Sequence, residues 1–201
     1  MSEPGTNPWL TAADGASDVE APPLTGPSQP QASVNAPADG LTTKPSPPDA
    51  GLWVMGAHGG AGATSLCAFL PYSHDAGQAW PAPDERGHAK PVVVVARSSA
   101  YGLACARTVL QQWASGGAPG VELLGMVVVA DAPGKLPSPL RSLVAHAGGG
   151  APRVWRVPWV EAWRFTEAPD PETAPRRVRK VSESIRAAQE SVSSLSEGEK
   201  Q

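Results

Sequence analysis

Leu52-Trp53-Val54-Met55, then Gly56-Ala57-His58-Gly59-Gly60-Ala61-Gly62-Ala63-Thr64-Ser65, then Leu66-Cys67-Ala68-Phe69-Leu70, is the stretch on which the fold of this chain turns. It reads as a short apolar strand, a glycine-rich turn and a helical segment. That context makes a phosphate-binding loop credible, because successive backbone N–H groups at such a turn can cradle an oxyanion.

Outward from the loop, short apolar runs alternate with helical patterns. Pro71 to Lys90 is rich in Pro, Gly and polar residues and reads as loop. Val92 to Ala96 is a continuous β-branched run, which suits a strand covered on both faces. Ser98-Ser99 stands where a helix cap belongs, ahead of Leu103, Ala106, Val109, Leu110 and Trp113 at helical spacing. A strand at Leu123 to Ala130, a helix at Pro139 to Ala147 and a strand at Arg153 to Val157 follow. Four strands alternating with helices predict a small, truncated, parallel α/β sheet with right-handed crossovers. Ligands of such sheets bind beyond the carboxyl ends of the strands. The glycine loop, Arg97-Ser98, Asp131-Ala132-Pro133 and Pro158-Trp159 are therefore expected along one edge.

Composition divides the 201 residues into three parts. Residues 1–50 are rich in Pro and Ala, almost without periodic apolar residues, and read as a disordered tail, because such a stretch cannot bury enough surface to offset chain entropy. Trp9-Leu10 is its one apolar pair, an incidental pair or a docking motif. Residues 51–165 are the globular candidate, and residues 166–201 a flexible or helical tail. The tail carries Val178, Val181, Ile185, Ala188, Val192 and Leu195 at heptad-like spacing. That seam fits a helix lying on the domain or in solvent, and equally a helix that pairs with a partner or with itself.

Charge follows the same division. The first part has one lysine against six acidic residues, the globular part nine basic against six acidic, and the tail six against seven, for a net −3. A +3 core does not demand a nucleic-acid partner. Cys67 and Cys105 have no Cys-x-x-Cys spacing, and His58, His74, His88 and His146 show no metal-ligand pattern, so no metal site is expected. With no long apolar run and no secretory leader pattern, the expectation is a reduced, cytoplasmic protein without a membrane span.

A working phosphate loop follows Gly-x-x-x-x-Gly-Lys-Ser/Thr, in which the lysine reaches the β/γ-phosphates and the hydroxyl binds Mg²⁺. In that register the first glycine is Ala57, the second Gly62, the lysine Ala63 and the hydroxyl Thr64. His58 to Ser65 resembles the deviant Walker A loop, Lys-Gly-Gly-x-Gly-Lys-Thr-Thr/Ser, of the ParA/MinD partition ATPases, with His58 and Ala63 at both lysine positions. The loop is also similar to that of uncharacterised actinobacterial proteins of conjugative elements that carry Gly-Ala-His-Gly-Gly-Ala-Gly.

Further along, Val92 to Arg107 resembles the family's strand ending in Thr-Pro-Glu, with Ala96-Arg97-Ser98 in place of that tripeptide. Gly125 to Asp131 resembles the strand whose terminal Asn contacts the base, and Val157-Pro158-Trp159 resembles the segment that closes the nucleotide site. The resemblance implies that Gly59, Gly60, Gly62, Ala63, Thr64 and Ser65 would hold phosphate through amides and hydroxyls. Asp131 and Trp159 would flank a base, and the cofactor would be ATP or another nucleotide with Mg²⁺. The family's Walker B strand has no apolar counterpart between Pro71 and Lys90, where Asp75, Asp84 and Glu85 follow no recognisable strand. Without that carboxylate and the lysines, no catalytic residue is assigned.

Several readings stay open. The four glycines equally fit a tight turn alone, in which case nothing binds there. His58 is either a turn residue or, protonated, a partial substitute for the missing charge. Arg153-Val154-Trp155-Arg156-Val157-Pro158-Trp159-Val160-Glu161-Ala162-Trp163-Arg164 interleaves arginine with tryptophan, as single-strand nucleic-acid binders do, and as a tryptophan cover on a strand end would. Arg176-Arg177-Val178-Arg179-Lys180 is a second basic cluster. The reading these features support is a non-catalytic, P-loop-like accessory protein. It would bind a nucleotide or other anion and act with protein partners in a larger assembly, in DNA transfer or partition. The alternatives are a weak ATPase completed in trans by a partner, and a nucleic-acid-binding module built on the Arg/Trp segment.

Overall fold

Runs of valine make the centre of the molecule, because a β-branched side chain is stiff at χ1 and packs well on a pleated surface. In the computed structural model, residues 21–48, 51–84, 87–166 and 169–198 are described, the last four of them as backbone only. The elements in chain order are β1 (Thr43–Lys44), β2 (Leu52–Gly56), α1 (Ala63–Cys67), β3 (Ser73–Gly77), β4 (Trp80–Pro81), β5 (Lys90–Arg97), α2 (Ala100–Ala114), β6 (Val121–Val129), α3 (Ser138–Gly148), β7 (Val154–Val157), a 3₁₀ turn (Glu161–Phe165) and α4 (Arg176–Gly198). The fold is α/β: five strands in the order β3-β2-β5-β6-β7, every neighbouring pair parallel, with β1 and β4 forming a separate two-stranded pair.

Alternation along the strands divides the core between two faces. Met55, Val92, Val94, Met126 and Val128 face α2 and α3, meeting Leu103, Leu110 and Trp113 from α2 and Val144 and Ala147 from α3. Val54, Val93, Val95, Val127, Trp155 and Val157 face the other way, onto Leu66, Phe69 and Leu70 and onto Val178, Ile185 and Ala188 of α4. From β2 the chain passes through α1 to β3 on one side, while β5 leads through α2 to β6 on the other. Right-handed crossovers running in opposite directions put their helices on opposite faces, and α1 and α2 do lie on opposite faces. The crevice between the carboxyl ends of β2 and β5 is therefore the topological switch point of the sheet.

Three expectations need correction. The segment read as loop, Pro71 to Lys90, contains an edge strand, β3, so the sheet has five strands rather than four. Its residues Ser73, His74, Asp75, Ala76 and Gly77 are polar or small and none is buried, because only one neighbour pairs with it, and no apolar run marks it. The apolar core extends past residue 165, since Val178, Ile185 and Ala188 are 1%, 0% and 0% exposed against the sheet. Of the two readings of the heptad-like seam, the one with the helix lying on the domain describes residues 178–188; the side chain of Leu195 lies outside the described residues. Finally, the loop helix starts at Ala63 and ends at Cys67, where the apolar pattern suggested Leu66 to Leu70.

Residues 1–20 of the Pro/Ala-rich tail, with Trp9-Leu10, lie outside the described residues. Residues 21–48 are almost without regular structure, as their composition implies, yet they run along the domain through backbone contacts. The side-chain amide of Gln112 acts as a surrogate peptide: its Oε1 accepts from Leu41 N (2.8 Å) and Trp80 Nε1 (2.9 Å), and its Nε2 donates to Leu41 O (2.8 Å). Lys90 Nζ donates to Pro47 O and Arg153 Nε to Pro22 O. No helix of the described residues is long and apolar enough to cross a membrane.

Candidate functional site

The glycine turn leaves β2 at the switch point and is tied to the neighbouring strand by Ala57 N donating to Val95 O at 2.8 Å. Gly60 and Gly62 have φ of 73° and 100°, left-handed values that a Cβ disfavours, and Gly62 is the residue on which α1 begins. The N–H groups of Gly59, Gly60, Gly62, Ala63, Thr64 and Ser65 make no backbone hydrogen bond among the described residues, while Ala61 N and Leu66 N are taken by His58 O and Gly62 O. All six residues line one cleft of about 310 Å³, together with Asp75, Gln78 and Arg97. The structure thus brings the phosphate-loop residues read from the sequence into a single concave surface.

His58 serves the turn rather than a ligand. The residue is 7% exposed. Nδ1 donates to Gly59 O at 2.8 Å, and Nε2 accepts from Arg97 N at 3.2 Å. Acceptance of a backbone N–H assigns the neutral Nδ1–H tautomer, so the ring does not supply the missing positive charge. Helix α2 comes close enough to require glycine: a Cβ on Gly102 would stand 2.8 Å from His58 Nε2 and 2.5 Å from Arg97 O.

Two further side chains line the cleft: Asp75, for which no strand was expected, and Arg97, expected along this edge without an assigned role. Thr64 Oγ1 donates to Asp75 Oδ2 at 2.5 Å, and Asp75 Oδ1 accepts from Gly77 N at 2.8 Å. A carboxylate therefore does stand beside the loop hydroxyl, contrary to the expectation that none would. It comes from β3, the strand that composition hides. On the other side Arg97, the last residue of β5, donates from Nε to Gly60 O (3.2 Å) and from Nη1 to Ala130 O (3.1 Å). Two of its five N–H donors are engaged in those bonds. Among the described residues lining the cleft, Arg97 is the one cation. Its position follows from register, since Gly56 pairs with Val95 and Arg97 lies two residues beyond.

Next to the cleft, at the carboxyl ends of β6 and β7, lies a second cavity of about 350 Å³ lined mainly by apolar side chains such as Val128, Leu136 and Leu140, with Asp131, Lys135 and Arg156. Asp131 is fixed in a reciprocal pair with Ser98: the Ser98 hydroxyl donates to Asp131 Oδ1, and Asp131 N donates to Ser98 Oγ at 3.1 Å. Pro158 lines the cavity as expected, but Trp159 does not.

Instead, Trp159 Nε1 donates to Glu161 Oε2 at 2.7 Å, and Arg164 lies 6.0 Å over its ring and 3.0 Å from Glu161 Oε1. The Trp159 indole N–H first, and the Arg164 guanidinium after it, hold the Glu161 carboxyl below its ordinary value. The other tryptophans of this segment are also engaged. Trp155 is buried and donates to Ser184 Oγ at 3.0 Å, and Trp163 stacks on Phe69 with centroids 5.2 Å apart.

Fold and site together define a class: a small doubly wound α/β domain whose glycine turn, hydroxyl–carboxylate pair and arginine meet at the switch point of the sheet. Within that class the chain belongs to DUF6668, a family of unknown function, whose model matches residues 50–182. The matched span runs from the strand before the glycine loop into α4. No curated protein and no solved structure matches the chain.

Proposed function

We propose that the glycine loop binds the phosphates of a nucleotide together with Mg²⁺, without hydrolysing it, and that this binding serves an accessory protein within a larger assembly. The observation that carries the reading is the pairing of opposite chemistries in one cleft. Six amides without a backbone acceptor and Arg97 face an anion, while Thr64 Oγ1 and Asp75 Oδ2, 2.5 Å apart, offer oxygen ligands for a hard cation. A carboxylate beside an anion site is repulsive by itself. It becomes favourable when Mg²⁺ stands between, because Mg²⁺ is commonly held by one or two protein oxygens plus phosphate oxygens and water. The loop's resemblance to partition ATPases motivates an assembly handling DNA, with protein partners.

Non-catalytic binding rests on Ala63. In the loop register that position would carry the lysine that reaches the β/γ-phosphates, and Arg97 is already braced by Gly60 O and Ala130 O. The Thr64–Asp75 pair also favours a second reading, an ATPase whose lysine arrives from a partner. The engaged tryptophans give no comparable support to the nucleic-acid module.

Titration of the full chain with a fluorescent ATP analogue, with and without Mg²⁺, tests the proposal. Saturable binding that weakens when Mg²⁺ is withdrawn is expected; no binding at millimolar ligand would leave the loop as a turn. Ala63→Lys is expected to tighten binding by about tenfold, the worth of one charge-assisted contact. Mg²⁺-dependent phosphate release by the unmodified chain alone would overturn the non-catalytic part.

A further inference from the structure

We propose that the cavity at the ends of β6 and β7 reads the ring of the bound nucleotide and selects a guanine-type base over adenine. This inference rests on nucleotide binding by the adjoining loop. The two spaces are neighbours: Arg97 bonds to Gly60 O on the wall of the loop cleft and to Ala130 O on the wall of the cavity. Phosphates in the one place a sugar and ring toward the other. Apolar walls from Leu136, Leu140, Val157 and Pro158 suit the faces of a planar heterocycle.

Of the charged groups lining the cavity, Asp131, Lys135 and Arg156, the carboxylate is the one whose orientation is set by hydrogen bonds. The Ser98 hydroxyl takes one lone pair of Asp131 Oδ1, and Ser98 Oγ in turn accepts Asp131 N–H, so the other Oδ1 lone pair and the whole of Oδ2 are left to a ligand. Asp131 Oδ2 accepts no hydrogen bond among the described residues. An ionised carboxylate only accepts. Guanine presents two adjacent donors, N1–H and the 2-amino group, and both bonds to a carboxylate are charge-assisted. Adenine presents one donor, the 6-amino group, beside the N1 lone pair, so one contact is repulsive. Loss of one charge-assisted bond sets the discrimination at roughly ten- to a hundredfold.

Ser98 also makes the selectivity invertible. In Asp131→Asn the hydroxyl keeps its bond to Oδ1, and the atom presented to the ring changes from an acceptor to an N–H₂ donor, which suits the adenine edge.

The test is equilibrium competition on the full chain with Mg²⁺, using guanosine triphosphate, adenosine triphosphate and inorganic tripolyphosphate, repeated on Asp131→Asn. GTP binding at least about tenfold tighter than ATP, with the order reversed in the variant and tripolyphosphate affinity unchanged, is the expected result. Unchanged tripolyphosphate affinity also shows that the variant is folded. ATP binding as tightly as GTP, or tripolyphosphate competing as well as either nucleotide, overturns base selection while leaving phosphate binding by the loop intact. Failure of all three to bind overturns both readings.

Discussion

The glycine loop and the segment Arg153 to Arg164 carry the two densest chemical signals of the sequence, and the fold treats them oppositely. In the loop the polar groups converge on a cleft with partners to spare: six amides, a hydroxyl–carboxylate pair and an arginine. In the Arg/Trp segment most of the groups are used up internally, while Arg156 lines the second cavity. Trp155 is bonded to Ser184, Trp159 to Glu161, and Trp163 is stacked on Phe69; Arg153 holds the N-terminal arm and Arg164 holds Glu161. The lesson is that residue type sets what a site can do, while the number of bonds left over determines whether it is a site. Variants that attack stability on one side and binding on the other test that contrast.

The largest effect is expected at Trp155. It is 4% exposed between β6 and α4, and its indole N–H is bonded to Ser184, itself 7% exposed. Trp155→Ala should cost about 3–5 kcal/mol through lost burial and a cavity, read as a lower denaturant midpoint. An unchanged midpoint with weaker binding to single-stranded nucleic acid would break the comparison, because the indole would then belong to a ligand.

A smaller effect is expected at Gly102, on the loop side. A Cβ there meets Arg97 O at 2.5 Å and His58 Nε2 at 2.8 Å, and the first of these is backbone that does not swing aside. Overpacking costs about 1–3 kcal/mol, while alanine in place of glycine within a helix returns about 1 kcal/mol. Gly102→Ala should therefore be destabilising by about 2 kcal/mol or less in thermal or denaturant melts. It should also weaken nucleotide binding, since His58 and Arg97 brace the loop. Loss of stability with binding intact would show the loop to be insensitive to its support.

These two positions also show how far the sequence was legible. Trp155 lies in β7, a strand expected at Arg153 to Val157, and the strands at Leu52, Val92 and Leu123 were readable because burial on both faces demands unbroken hydrophobicity. The edge strand β3 was not. One pairing neighbour and half-exposed side chains let Ser73, His74 and Asp75 occupy a strand without an apolar signal, and the carboxylate partner of Thr64 was hidden with it. The glycine loop itself was visible as a motif and Arg97 as a strand-end residue on the same edge, whereas its bond to Gly60 O follows from the pairing of β2 with β5. The burial of His58 depends on the absent side chain of Gly102, 44 positions away in sequence. The N-terminal arm is attached through backbone groups and the amide of Gln112, contacts that composition does not announce.

The smallest effect concerns Glu161, and it tests whether Trp159 is engaged in solution. Its folded carboxyl titrates below the ordinary 4.5, chiefly because the Trp159 N–H bonds to the charged form and secondarily because Arg164 does. A depressed carboxyl favours the folded arrangement above the ordinary value, and the benefit disappears as pH falls through the lower, folded value. Because the group is exposed to solvent, no measurable change in melting is expected; the readout is local. The indole N–H resonance of Trp159 should move on acidification with a midpoint below 4.5. Replacing Trp159 by Phe, or Arg164 by Ala, should return the Glu161 midpoint toward 4.5, since each removes a partner of the charged form. A Trp159 resonance indifferent to pH through this range would mean that the indole is free, and the Arg/Trp segment would again have a donor and an aromatic face to offer a ligand.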